Sequence, residues 1–212
     1  ADGILWMSQN MHRNSMVRKM QVVKMRGQAQ APGLHTFRID DTGLQVFPRA
    51  MVQPHEEIGP AHSGSAERIS MGVAGLDAML GGGLPAGYSM LAVGPSGSGK
   101  TILATAFLAE GVRCGEPGVI AAFEKSPSQL LNNKLQALVS AGQVGVIDTR
   151  SLDLSIDETL HDMIRMIDRM QAKRVVIDSL SGFELALAPE FSEDFRGSLY
   201  RMVAELTSMG VT

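Results

Sequence analysis

The residues Gly94-Pro95-Ser96-Gly97-Ser98-Gly99-Lys100-Thr101 match the spacing G-x-x-x-x-G-K-[ST]. The chemistry of that spacing is phosphate binding. Glycines let backbone N–H groups curl around a β-phosphate with no Cβ in the way. Lys100 is then in reach of the β- and γ-phosphates, and the Thr101 hydroxyl is in reach of a Mg²⁺ ion. A helix opening at the end of the loop adds the positive end of its dipole. Gly94, Pro95, Ser96, Gly97, Ser98, Gly99, Lys100, Thr101 and the following Ile102 are therefore the expected nucleotide-binding set.

Two carboxylates fit the same chemistry. In Arg174-Val175-Val176-Ile177-Asp178-Ser179 an apolar run ends in an acid, which puts Asp178 at the C-terminal tip of a strand, where ligands gather in parallel sheets. Asp178 is expected to hold Mg²⁺ through water. Glu124 follows the apolar run Gly118–Phe123 in the same way. A carboxylate there can orient or deprotonate a water that attacks the γ-phosphate, and it is a further candidate for the metal. Elsewhere, Lys24 and Arg26 flank Met25 at i and i+2 and so share a face of a strand. Taken alone they read as a solvated strand end. The histidines at 12, 35, 55, 62 and 161 have no metal-ligand spacing, and the 14 methionines read as core filling.

The elements that must position these residues alternate. Tyr88–Val93 reads as a short buried strand before the loop, and Thr101–Gly111 as a nearly all-apolar helix after it, buried on most sides. Gly118–Phe123 is a continuous apolar strand of the kind covered on both faces. Ser128–Val139 reads as helix and Val144–Ile147 as strand. Ser155 and Glu158 form a capping box for a helix whose apolar face is Ile156, Leu160, Met163, Ile164 and Ile167. Val175–Ile177 is the next strand, and Ser192 caps a last helix that ends before Gly210. Upstream, Val73–Leu80 is a short helix stopped by Gly81-Gly82-Gly83. This is an α/β pattern with a mostly parallel sheet flanked by helices.

Before it the pattern is different. Ala1–Gly27 reads as a hairpin with strands Ile4–Met7 and Val17–Met25 and a turn at Asn10–Asn14. Thr36–Ile39 and Leu44–Phe47 make a second hairpin. Two hairpins alone are marginal in water, so this segment reads as the tail of something larger. Pro48–Glu67, with Pro54, Pro60 and Ser63-Gly64-Ser65, reads as a linker. Residues 1–50 hold seven Lys/Arg against three Asp/Glu, and the remainder twelve against nineteen, giving +4 and −7 within the net −3. Such asymmetry suits either nucleic acid or two parts of an assembly that meet electrostatically. The single Cys114 excludes a disulfide framework and fits a reducing cytoplasm. No apolar run approaches the roughly 18 residues of a membrane span.

With these pieces in order, the chain resembles the KaiC family of RecA-like P-loop ATPases. The resemblance rests on Gly72-Val73-Ala74-Gly75-Leu76-Asp77, Gly81-Gly82-Gly83-Leu84-Pro85, the phosphate loop, Phe123-Glu124-Lys125-Ser126-Pro127 and Val176-Ile177-Asp178-Ser179-Leu180-Ser181. Ala1–Gly27 and Phe37–Pro48 fit the end of such a domain. The resemblance implies ATP and Mg²⁺ as ligands, a cytoplasmic location and a homo-hexamer of tandem-domain subunits with signalling or clock partners. It divides the chain into 1–49, the β-hairpin end of a first domain; 50–67, the inter-domain linker; and 68–212, a second ATPase domain truncated at its C-terminus. It further implies that Lys24, Met25 and Arg26 contact, in trans, a nucleotide held by a neighbouring first domain, and that Glu124 and Lys100 are catalytic. Serine/threonine autokinase activity is implied for the full-length protein alone, since the family's phosphorylated pair would lie beyond Thr212. One departure is chemical: the family commonly pairs two glutamates where this chain has Glu124-Lys125, and Lys125⁺ favours an ionised Glu124. The alternative is a RecA- or helicase-like DNA-handling ATPase. The acidic body and an aromatic content of 5% argue against nucleic acid.

Overall fold

In the computed structural model, which describes residues 1–12, 15–49, 67–123, 132–148, 155–187 and 195–212, the strands of the two halves of the pattern fall in separate sheets, one in the first half and two in the second. The N-terminal one is antiparallel, in the order β1 (Gly3–His12), β2 (Ser15–Met25), β3 (His35–Asp40), β4 (Gly43–Phe47). The first hairpin is longer than expected. Asn10 pairs with Val17 and Met11 with Met16, so the strands run through most of the stretch read as a turn. The two hairpins join through Lys19–Thr36 and Met20–His35 into one sheet.

The second half opens with a two-residue ladder, β5 (Arg68–Ile69) on β6 (Leu84–Pro85), around helix α1 (Ala74–Met79). Helix α2 (Lys100–Arg113) follows the glycine loop. Then come strand β7 (Gly118–Ala122), helix α3 (Asn133–Ser140), strand β8 (Val144–Asp148), helix α4 (Ile156–Met170), strand β9 (Arg174–Asp178), and helices α5 (Leu180–Ala186) and α6 (Phe195–Ser208). The strands pair in parallel in the order β8-β7-β9. Every residue of β7 is buried, because helices cover both faces. On one face Ile120 packs with Leu108 of α2 and Leu135 of α3; on the other Val119 and Ala121 pack with α4, α5 and α6. Alternation along one central strand thus feeds two cores.

Two expectations fail locally. Tyr88–Val93 is not a strand and is exposed, with Leu91 at 69% and Val93 at 86%. Its apolar side chains suit a strand, but among the described residues no strand pairs with it; Tyr88 N bonds only the turn carbonyl of Pro85 at 3.2 Å. The lane beside β9 is entered instead by Thr212, whose N–H donates to Lys173 O at 3.0 Å and whose carbonyl accepts from Val175 N at 2.9 Å. Gly87 N in turn bonds Thr212 Oγ1 at 2.8 Å. Helix α2 is buried or half-buried along most of its length, as its composition predicts, with Ile102 (70%) and Arg113 its exposed positions. The capping box at α4 is half made: Ser155 Oγ accepts from Glu158 N at 3.5 Å, but the Glu158 carboxylate pairs with Arg38 of β3. The second hairpin therefore docks on α4, where Ser155 Oγ donates to Thr36 Oγ1 at 3.3 Å and Phe47 meets His161 edge-on. Helix α3 begins at Asn133, and residues 128–131 and Ser192 of the expected helices lie outside the described residues. Among the described residues no helix is long and apolar enough to cross a membrane.

Candidate nucleotide site

The glycine loop leads into α2 through two left-handed residues, Gly97 (φ 81°) and Gly99 (φ 93°), which only glycine adopts without strain. A Cβ on Gly94 would sit 2.7 Å from Ser98 Oγ, so the loop is narrow at its root. The first helical bond closes from Leu103 N to Gly99 O at 2.9 Å. Pro95, Ser96, Gly97 and Ser98 are exposed, whereas Gly94, Gly99, Lys100 and Thr101 are half-buried. Lys100 Nζ donates to Gly94 O at 2.7 Å and to Pro95 O at 2.8 Å, which holds the ammonium across the loop.

Thr101 is the meeting point of two elements. Its Oγ1 donates to Asp178 Oδ2 at 2.8 Å, joining the first turn of α2 to the tip of β9. A hydroxyl and a carboxylate oxygen this close are the hard donors that Mg²⁺ prefers. With a loop kept free of Cβ atoms and a positioned ammonium, the residues present fit a Mg²⁺–nucleotide. Among the described residues no cluster of three or more His, Cys, Asp or Glu has the geometry of an all-protein metal site.

Behind the first turn a polar chain braces α2. Thr105 Oγ1 donates to Thr101 O at 2.8 Å, and Asn132 Nδ2 donates to Thr105 Oγ1 at 3.0 Å. Asn132 also caps α3 by accepting from Leu135 N at 2.9 Å. One asparagine thus ties two helix N-termini together.

Glu124 lies outside the described residues. Phe123, the residue before it, donates its N–H to Asp178 O at 3.1 Å, and Ala122 is in register with Asp178. Lys24, Met25 and Arg26 stand exposed at the open end of the first hairpin. Strand β2 ends at Met25, and Arg26 N bonds Asp2 O at 2.8 Å while its guanidinium reaches Asp2 Oδ1 at 3.5 Å. Among the described contacts none ties these three to the phosphate loop.

Sequence reasoning missed two features. Ser179 caps α5 by accepting from Gly182 N at 3.1 Å, so a helix leaves directly from the tip of β9. Arg174, noted only as the start of that strand, is 2% exposed. Its Nε donates to Glu116 Oε2 at 2.9 Å and its Nη1 to Ser70 O at 2.7 Å and Phe107 O at 2.9 Å. A lone arginine opening an apolar strand carries no sequence signal of burial, because its partners are 58 to 104 residues away.

The family model described as KaiC ATPase matches residues 1–51 and 69–212. The circadian clock oscillator protein KaiC of Picosynechococcus sp. is 31% identical over 170 residues, covering 77% of this chain and 32% of that protein. The same-named protein of Rippkaea orientalis gives the same identity and coverage. That of Parasynechococcus marenigrum is 33% identical over 177 residues, covering 72% of this chain and 33% of its own length. The chain spans about a third of the length of these curated relatives.

Proposed function

The chain belongs to the KaiC family of RecA-like ATPases, and from that premise we propose that its second half binds ATP with Mg²⁺ and hydrolyses it. The observation that carries this reading is the 2.8 Å bond from Thr101 to Asp178. It brings a loop-end hydroxyl and a strand-tip carboxylate, 77 residues apart, to one point beside a cradle of glycines. Lys100 would leave the carbonyls of Gly94 and Pro95 for the β- and γ-phosphates. Thr101 and Asp178 would hold the Mg²⁺, which on binding neutralises charge between those phosphates. Glu124 would orient the attacking water and take its proton.

In the full-length protein we read residues 1–49 as the end of a preceding domain, 50–67 as a linker and 68–212 as a second ATPase domain. Lys24, Met25 and Arg26 then meet nucleotide on a neighbouring subunit of a homo-hexamer, with Lys24 and Arg26 as trans cations that stabilise transferring charge. Serine/threonine autokinase activity, a cytoplasmic location and signalling or clock partners belong to that same whole-protein reading. Of these, the names of the relatives, circadian clock oscillator proteins, support a clock role alone. The DNA-handling alternative gains nothing from those relatives.

The test is a titration with a fluorescent ATP analogue, coupled to turnover in the full-length protein. Lys100→Ala should weaken binding by roughly ten- to a hundredfold, the worth of its charge-assisted bonds. Glu124→Gln should keep binding and lose turnover. Unaltered affinity in the first variant would overturn the binding site, and unaltered turnover in the second would remove Glu124 from its role.

A further inference from the structure

The nucleotide site depends on an alignment that is set at the opposite end of the sheet. Helix α2 begins at Lys100-Thr101 and strand β9 ends at Asp178, so the Thr101–Asp178 bond depends on how far the helix is slid along the strand. Between them Val176 packs against the two apolar clusters that hold Leu108 and Phe107 of the helix. Apolar contact is non-directional and fixes separation better than axial position. Two hydrogen bonds are described between α2 and β9. One is Thr101–Asp178 itself; the other is Arg174 Nη1 to Phe107 O at 2.9 Å.

Arg174 is built into that position from every side. Its Nη1 also takes Ser70 O at 2.7 Å, its Nη2 lies 2.8 Å from Glu116 Oε2, and its Cζ stacks 4.7 Å from the centroid of the Phe107 ring. Where the arginine stem crosses α2, the helix carries Gly111, on which a Cβ would collide with Arg174 Cδ and lie 2.6 Å from Nε. Next to it the turn at Gly72 (φ 74°) lies so close that a Cβ there would be 2.5 Å from Ala106 O. A planar guanidinium with donors in a fixed fork thus joins the turn at 70–72, the middle of α2, the segment after α2 and the base of β9. Phe107 lies six residues from Thr101, about 9 Å along the helix. Arg174 lies four residues from Asp178, about 13 Å along the strand. Both elements are rigid over those lengths, so a slip at the base reaches the tip undiminished.

We propose that Arg174 is a positioning residue for the Mg²⁺–nucleotide site, acting through α2 and β9 by fixing their axial register. The inference rests on the assignment of Thr101 and Asp178 to the metal. Its readout is therefore the ratio of nucleotide affinities with and without Mg²⁺, measured with a fluorescent ADP analogue on this chain. Backbone groups of the loop dominate affinity without the metal, and the register matters when the metal is present. Arg174→Lys keeps a cation beside Glu116, but a single ammonium cannot span all three acceptors. It should reduce the Mg²⁺ enhancement roughly tenfold, within the cost of a sub-ångström misplacement transmitted from outside a site, and leave metal-free affinity within about twofold. Gly111→Ala, which crowds the arginine stem without removing it, should act in the same direction and carries the test should Arg174→Lys not fold. Leu108→Ala opens the same helix–sheet contact without touching the arginine; it should lower the unfolding midpoint and leave the ratio unchanged. A wild-type ratio in both Arg174→Lys and Gly111→Ala, or an equal loss in Leu108→Ala, would overturn the inference. Absence of any Mg²⁺ enhancement in the wild-type chain would overturn the metal assignment itself.

Discussion

Two arginine–glutamate pairs hold this molecule at two places, and they are mirror images in burial. At the base of the parallel sheet the arginine is buried (Arg174, 2% exposed) and its partner Glu116 reaches water at 28%. At the seam between the N-terminal sheet and α4 the glutamate is the more buried partner (Glu158, 14% exposed) and Arg38 reaches water at 45%. The guanidinium of Arg174 has protein partners for most of its donors, including two backbone carbonyls and an aromatic face. Glu158 has Arg38 on one oxygen, while its Oε2 is buried with no partner among the described residues. A carboxylate needs donors brought to it, and the strands of the seam bring only one. Burying a charge stabilises only as far as its remaining atoms are satisfied.

The largest effect should come from breaking the satisfied pair. Arg174→Met leaves Ser70 O and Phe107 O without their donor and Glu116 without its counter-ion. We expect a loss of about 3–5 kcal/mol in urea unfolding, the usual cost of removing one partner of a buried pair. A loss under about 1 kcal/mol would end the contrast between the two sites. Gly111→Ala comes next. On an exposed helix that change would gain about 1 kcal/mol from propensity. Here the added Cβ meets the arginine stem, and overpacking of about 1–3 kcal/mol should make the net change unfavourable. A net gain in stability would show that the stem gives way freely.

The contrast also explains what was legible in the sequence. The glycine loop, the all-apolar β7 and the acid closing β9 are local patterns, and the structure brings Thr101 of the loop's end to Asp178. Features that need a distant partner were not legible. Tyr88–Val93 has the composition of a strand, yet a strand exists only if another pairs with it. Glu158 satisfies the capping-box spacing, but Arg38, 120 residues earlier in the chain, takes its carboxylate. The docking of the second hairpin on α4 likewise rests on Thr36, Arg38 and Phe47, none of which is unusual in its own segment.

The smallest effect, and the one with the opposite sign, belongs to the seam. Burial is the main influence on Glu158 and raises its pKa above the ordinary 4.5; Arg38 opposes this, and Asp162 one turn along reinforces it. The folded chain therefore holds a proton at this site more tightly than the unfolded chain does. The stability contributed by Glu158 is fully present below the ordinary value and is lost as pH rises through the raised folded value. At neutral pH the ionised carboxylate opposes docking in spite of its salt bridge. Glu158→Gln removes that titration and leaves a half-exposed Arg38 free to be solvated. It also gives up a favourable charge in the first turn of α4, which keeps the net change small. Urea midpoints should therefore lie within about 1 kcal/mol of wild type at pH 7, on the stabilising side. The advantage of the variant should shrink as the pH is lowered toward 4.5, where the wild-type side chain regains its proton. A variant clearly less stable at pH 7 than wild type would mean that Arg38 more than compensates the buried charge, and the two pairs would then be alike.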